Sequence, residues 1–281
     1  MDSSSEQNVK QCCAAFYGSD LARLLLGDSF HPGGTRLTNR IGRLLQLTAD
    51  SKVLDVAAGR GTSALYIAET FGCEVLGVDL SDDNVRTSNE EALKCGVASR
   101  VSLQLADAEG LPFQDSSFDA ILCECAFCTF PNKRRAALEF TRVLRPGGRL
   151  GLSDLARTAG RIPELDGLLS WIACVGDAQP VASYVETLQG AGLTVTDIEN
   201  HAEALTEMVR QIQGKLLGAE IMVGLKRLNL PSVDFSAAKR FAQAALNAVR
   251  DGKLGYAVIC ATRDTTSRQM SHVQQLKPMP R

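Results

Sequence analysis

A doubly wound α/β sheet is what this sequence predicts, on three observations. First, Lys52-Val53-Leu54-Asp55-Val56 is an apolar run of strand length carrying an acid near its end. It breaks at Gly59 and Gly61 and passes into Ser63-Ala64-Leu65-Tyr66-Ile67-Ala68, which has the character of a helix. Second, Glu74-Val75-Leu76-Gly77-Val78-Asp79-Leu80 is another buried-type strand ending in an acid. Third, Val101-Ser102-Leu103-Gln104-Leu105-Ala106-Asp107-Ala108 repeats the pattern. A helical stretch separates each strand from the next, the alternation expected of parallel strands joined by crossover helices. Glycines after the first strand let a nucleotide-like ligand approach bare backbone at the carboxyl edge, and Asp79 stands where a carboxylate can accept both ribose hydroxyls.

The remaining elements follow in order. Residues 6–26 predict a helix, with Val9, Cys13, Phe16, Tyr17, Leu21, Leu24 and Leu25 at helical spacing. A helix in this place can cover a ligand cleft, which makes Tyr17 a candidate lid residue, although packing aromatics account equally well for Phe16 and Tyr17. Phe30-His31-Pro32-Gly33-Gly34 is a turn whose His31 can face a ligand. Then come a helix over 38–47, strand 52–57, helix 62–71, strand 73–79, helix 82–95 and strand 100–106. Ala120-Ile121-Leu122-Cys123 is the fourth strand. A helix over 132–144 stops at Arg145-Pro146-Gly147-Gly148, and strand 149–155 follows. Beyond Leu155 the regular alternation ends. Helices over 163–175 and 180–191 lead to strand 193–199. Helical stretches over 201–229 and 234–251 precede a last apolar strand, Leu254–Ala261. Residues 264–281 are polar and contain proline, the composition of a disordered tail.

With 281 residues the chain can bury a full core. Its formal charge of -2 leaves no electrostatic footprint for nucleic acid or an anionic membrane. No apolar run approaches the ~20 residues of a membrane helix, and Met1-Asp2-Ser3-Ser4-Ser5-Glu6 lacks the regions of a signal peptide, so the expected location is cytoplasmic. Nine cysteines are then expected to be reduced thiols, and with three histidines and no second CxxC a structural zinc site is disfavoured.

Three of those thiols, Cys123, Cys125 and Cys128, sit where the fourth strand empties, together with Glu124. This is the edge where ligands of open α/β sheets bind. Cys174 lies in Trp171-Ile172-Ala173-Cys174, on a stretch expected to fold over the same edge. Cys73, Cys95 and Cys260 fall within or beside regular elements, as small buried hydrophobes do.

From about Leu37 to Leu155 the acid-tipped strands and glycine turn resemble class I S-adenosylmethionine-dependent methyltransferases, as does the stretch Leu111-Pro112-Phe113-Gln114-Asp115-Ser116-Ser117-Phe118-Asp119. The resemblance implies a Rossmann-like seven-stranded sheet whose last strand is antiparallel, with N-terminal helices and a helical lid insertion before that strand. It implies S-adenosyl-L-methionine as cofactor. Asp55, Ala57, Gly59 and Gly61 would lie at its methionine end, Asp79 and Leu80 at the ribose, Asp107 and Ala108 at the adenine, with Cys123 alongside. The family usually has glycine where this chain has Ala57. The expected organisation is an N-terminal cap over 1–47 and a cofactor-binding core over 48–155. Substrate-side helices and the final strands occupy 156–263, and a tail 264–281.

A second resemblance is narrower. Cys125 after the fourth strand, the turn Arg145–Gly148, Ser153-Asp154, and Trp171-x-x-Cys174 follow in an order similar to arsenite methyltransferases. In that family the two corresponding cysteines hold trivalent arsenic, so the resemblance implies Cys125 and Cys174 as arsenic ligands and catalytic residues, with arsenic as substrate. Those enzymes commonly carry further cysteines upstream of the first core strand. Here Leu26-Gly27-Asp28-Ser29 has none, and Cys12 and Cys13 lie earlier still. Cys128, His31, Tyr17 and Glu124 complete the candidate substrate wall, and a thiol reductant is an expected partner beside the small-molecule or metalloid substrate. Two alternatives remain. One is methyl transfer to a thiol, hydroxyl or activated carbon with Glu124 or His31 as base. The other is cofactor binding or metalloid sequestration without turnover.

Overall fold

The structure, a computed structural model, describes residues 24, 27, 30–158, 162–165, 174–227, 230 and 233–265. Its centre is a seven-stranded sheet built from β1 (Lys52–Val56), β2 (Glu74–Asp79), β3 (Val101–Leu105), β4 (Phe118–Glu124), β5 (Leu144–Arg157), β6 (Leu193–Asn200) and β7 (Leu254–Arg263). The order across the sheet is β3-β2-β1-β4-β5-β7-β6. Strands β1 to β5 pair in parallel, and β7 enters antiparallel between β5 and β6. The order reverses between β1 and β4. That reversal opens a crevice at the carboxyl ends of the two strands, because their crossovers leave to opposite sides.

The burial of β1 and β4 is nearly continuous rather than alternating, as both faces are covered by helices. These helices are α1 (Gly34–Leu44), α2 (Thr62–Phe71), α3 (Asp82–Lys94) and α4 (Lys133–Val143), followed by α5 (Val181–Gly190), α6 (Ala202–Gly224) and α7 (Phe235–Arg250). Helix α3 starts where Ser81 Oγ accepts the Asn84 N–H, with Asp82 and Asp83 in the first turn favouring the positive end of the helix dipole. Asn132 caps α4 in the same way through the Arg135 N–H. Helices α6 and α7 pack on one another and on β7.

Three differences from the sequence reading stand out. Helix α1 begins at Gly34, four residues before the predicted 38, because Gly33 takes a left-handed φ of 83° and turns the chain directly into the helix. Of the helix predicted over 163–175, the described start, Pro163–Leu165, is a 3-10 turn. Cys174 lies in a turn, and the residues between fall outside the described ones. Strand β5 also starts earlier than 149, since Leu144 already pairs with Phe118 across a register shift. Most of the predicted helix 6–26, with Cys12, Cys13 and Tyr17, lies outside the described residues, as does 266–281. Among the described residues no helix is long and apolar enough to cross a membrane.

Helix α1 matters most for the crevice, since it brings His31 and Thr38 to its floor. It sits unusually close to the sheet. A methyl group on Gly151 of β5 would lie 2.4 Å from Ile41 Cγ2, and one on Gly42 would lie 2.5 Å from the Phe71 ring. The G151A variant is therefore expected to lose about 1–3 kcal/mol of stability by overpacking. A lower denaturant midpoint at unchanged slope would show it.

Candidate functional site

The crevice at the β1/β4 reversal is a cleft of about 1110 Å³, its open mouth included. Of the residues expected at the cofactor, Asp55, Ala57, Gly59, Asp79, Leu80, Asp107 and Ala108 line it. Of those expected at the substrate, His31, Glu124 and Cys125 do. Gly61, Cys123, Cys128 and Cys174 are not among the lining residues. Gly61 has a left-handed φ of 78° at the start of α2, where a methyl group would lie 1.9 Å from Ser88 Oγ. Its glycine is thus required by the packing of α2 on α3. Cys123 is fully buried in the core, and that burial raises its thiol well above the ordinary range.

The turn after β1 forms one wall. Ala58 N–H donates to Val78 O across to β2, and Gly61 N–H closes back on Ala58 O. Ala57 takes φ 56°, a left-handed conformation that costs an alanine about 1–2 kcal/mol. The glycine usual in such turns would be free of that cost. Asp79 is pinned at the tip of β2. Its Oδ2 accepts the Gly59 N–H at 2.8 Å, and its Oδ1 accepts from Ser81 N–H at 2.9 Å and Asn84 Nδ2 at 3.2 Å. Burial raises its pKa, and these donors hold the rise back. Asp55 is more isolated. Burial, then the Glu124 and Asp79 charges, push it well above the carboxylate range, and its buried Oδ2 has no hydrogen-bond partner.

The floor carries a cluster that sequence spacing does not reveal. Glu124 Oε2 accepts from Ser63 Oγ at 2.6 Å and from Thr38 Oγ1 at 3.1 Å, and lies 3.4 Å from His31 Nε2. The members come from the turn before α1, from α1, α2 and β4, with Thr38 and Glu124 86 positions apart. No local motif joins them. His31 and Glu124, separate candidates in the sequence, are one buried pair.

The far wall is sulfur-rich. Cys174 Sγ donates to the Cys125 carbonyl at 3.5 Å. The Cys174 thiol neighbours those of Cys125 and Cys128 and raises the pKa of both. Both Cys125 (φ 53°) and Cys174 (φ 61°) adopt left-handed backbone conformations, rare for residues with a side chain. The Cys174 contact and burial raise Cys125, and burial raises Cys128, so both stand as neutral thiols. Two anchors bring the Cys174 turn here. Lys133, itself buried, pairs with Asp177. Gln179 forms a bridge to Ala156 of β5, its N–H donating to Tyr184 Oη at 2.9 Å. Among the described residues no group of three or more His, Cys, Asp or Glu has the geometry to hold a metal ion.

The donor set suits a nucleoside bearing a cationic sulfur. Asp79 stands at a strand tip for a ribose, and Asp55 and Glu124 supply negative charge beside apolar lining from Phe30, Ala126 and Phe130. The orphaned Asp55 Oδ2 is an acceptor waiting for a donor or a positive charge.

Residues 54–152 match the family described as Methyltransferase domain. The chain carries a class I S-adenosylmethionine-dependent methyltransferase domain. It is similar to 27-O-demethylrifamycin SV methyltransferase of Amycolatopsis mediterranei (strain S699), at 34% identity over 148 residues. That match covers 48% of this chain and 54% of the rifamycin enzyme, so the chain spans about half of that relative. O-methyltransferase resE of Aspergillus sclerotiorum is 29% identical over 231 residues, 81% of each chain. Haemonchus contortus phosphoethanolamine N-methyltransferase 2 in complex with S-adenosyl-L-methionine superposes with a TM-score of 0.73 at 18% identity. The superposition covers 90% of this chain and 57% of that one, a likeness of fold. In this methyltransferase domain S-adenosylmethionine is the cofactor.

Replacing Asp79 by Ala removes the carboxylate expected to take the ribose hydroxyls. Charge-assisted hydrogen bonds of ~1.5–3 kcal/mol correspond to an affinity for S-adenosylmethionine weaker by about 10–100-fold, readable by calorimetry.

Proposed function

We propose that this protein transfers a methyl group from S-adenosylmethionine to trivalent arsenic held by the thiols of Cys125 and Cys174. The observation that carries the reading is the meeting of two cysteines 49 residues apart in sequence at the carboxyl edge of the sheet, the Cys174 thiol donating to the Cys125 carbonyl. Cys125 lines the cofactor cleft itself, so an acceptor bound there lies beside the methyl donor. Soft arsenic prefers sulfur over oxygen ligands.

S-adenosylmethionine, when bound, supplies an electrophilic methyl on a sulfonium centre. The chain does the rest. Asp79 holds the ribose, Leu80, Asp107 and Ala108 flank the adenine, and Asp55 balances positive charge at the methionine end. Phe30, Ala126 and Phe130 keep water from the cleft. Cys125 and Cys174 release their protons as the acceptor binds, since thiolates are the ligands. Arsenic then presents a lone pair, so transfer needs alignment and no general base. Holding nucleophile and electrophile in line is worth roughly 7–11 kcal/mol.

A second reading has its own observation. The buried His31–Glu124 pair also borders the cleft, and an oxygen acceptor would need such a base. Two of the relatives are named for methyl transfer to oxygen, which supports an oxygen acceptor over arsenic.

The two are separated by mass-resolved methyl transfer to a panel of trivalent arsenicals, small thiols and phenols. Under the arsenic reading, arsenicals are methylated, and C125S or C174S lowers that rate at least 100-fold while S-adenosylmethionine still binds. Methylation of phenols alone, lost in H31A and retained in C174S, would replace arsenic by oxygen.

A further inference from the structure

Asp154, at the end of β5, is a buried carboxylate that the mechanism above does not use. It borders the thiol wall without lining the cleft. Its Oδ2 accepts the Cys128 N–H at 2.7 Å and its Oδ1 accepts the Leu155 N–H at 2.7 Å. The Cys128 thiol lies beside it and holds its pKa down, against the rise that burial causes. Among the described residues no lysine or arginine pairs with Asp154. A carboxylate this deep, without a cation, is costly to keep, and it persists only where its hydrogen bonds hold something in place.

What it holds can be followed atom by atom. Cys128 sits in the one-turn 3-10 helix Phe127–Thr129, directly after β4. Its thiol neighbours the Cys174 thiol, which donates to the Cys125 carbonyl at 3.5 Å. Cys125 N–H is in turn fixed to Ser153 O at 2.7 Å, one residue before Asp154. The path runs from β5 through the 3-10 turn to the Cys174 turn and back to β5. Both left-handed cysteines lie on it. Such backbone conformations survive only where their surroundings over-determine them.

We infer that Asp154 is a positioning residue that holds Cys125 and Cys174 against one another, acting through Cys128. Cys128 is then a coupling member of the wall and not a ligand of the acceptor. This rests on the reading of Cys125 and Cys174 as the acceptor clamp, but their apposition can be measured without any acceptor.

The test is the rate at which diamide joins Cys125 to Cys174 in the full chain, read as the cross-linked peptide by mass spectrometry. In the wild type the cross-link is expected to form readily. D154A, which removes both acceptors, is expected to slow it at least tenfold. D154N, which keeps a carbonyl for the Cys128 N–H, is expected to restore it to within threefold of wild type. C128A, which removes the middle thiol, is expected to slow it as D154A does. Cross-linking of D154A at the wild-type rate would overturn the inference, and so would D154N as slow as D154A. The outcome separates the two ideas. Rapid cross-linking that depends on Asp154, in a protein that methylates no arsenical, removes the arsenic substrate and leaves the positioning role. Arsenical methylation with D154A cross-linking normally does the reverse.

Discussion

A set of buried carboxyl groups at the carboxyl edge of the sheet is the constraint on which the rest of this structure depends. Asp55, Asp79 and Asp154 are all buried there, and Glu124 lies among them. Among the described residues none of the four forms an ion pair with lysine or arginine. In a low-dielectric setting each such group is unfavourable unless hydrogen bonds or a bound cation offset it. Asp79 and Asp154 meet that demand with backbone donors. Glu124 meets it with Ser63, Thr38 and His31. Asp55 leaves one oxygen, Oδ2, without a hydrogen-bond partner, and the residue lines the cleft. A sulfonium and an ammonium on one ligand are what such a cleft is electrostatically built to receive.

The same edge explains what was legible in the sequence. Acids at the tips of β1 and β2, and the Asp107 loop after β3, stand close in sequence to the apolar runs that carry them. Strand and helix assignments over 52–143 therefore hold to within two residues for most elements, helix 62–71 among them. Short-range patterning decides those elements, because each buries an apolar face against its immediate neighbour in the chain. Gly61 shows the limit. Its place after β1 resembles a ligand-approach glycine, yet its missing side chain makes room for Ser88 on α3, a contact that no local pattern encodes.

Long-range juxtaposition was mostly hidden. The Ser63–Thr38–His31–Glu124 cluster draws single polar residues from three elements and the turn before α1, and none of the four has a distinguishing neighbour in sequence. Nor does any spacing announce that Lys133 would reach Asp177 and draw the Cys174 turn inward. The helix predicted through 163–175 fails at its described ends for a related reason. Apolar residues there have helical spacing, but the chain around Cys174 is fixed by tertiary anchors that turn it instead, Tyr184 Oη donating to Leu155 O and Arg157 N–H donating to Gln179 O. Cys125 and Cys174 could be paired beforehand only by resemblance to a family that uses them together.

The two walls of the cleft have opposite characters, and this bears on the chemistry available at each. The floor, with His31, Glu124 and two hydroxyls, can accept or pass a proton. The sulfur wall stands as neutral thiols, raised by burial and by one another. Such thiols hold their protons until an electrophile draws them off. They become ligands when a soft, electron-deficient centre displaces their protons, which couples binding to proton release. The wall is therefore selective by default. It stays inert toward oxygen-containing molecules, which cannot displace its protons, and reacts with a thiophilic atom that can. An oxygen acceptor would instead have to reach the floor, so the wall at which an acceptor docks also decides which atom of it receives the methyl group.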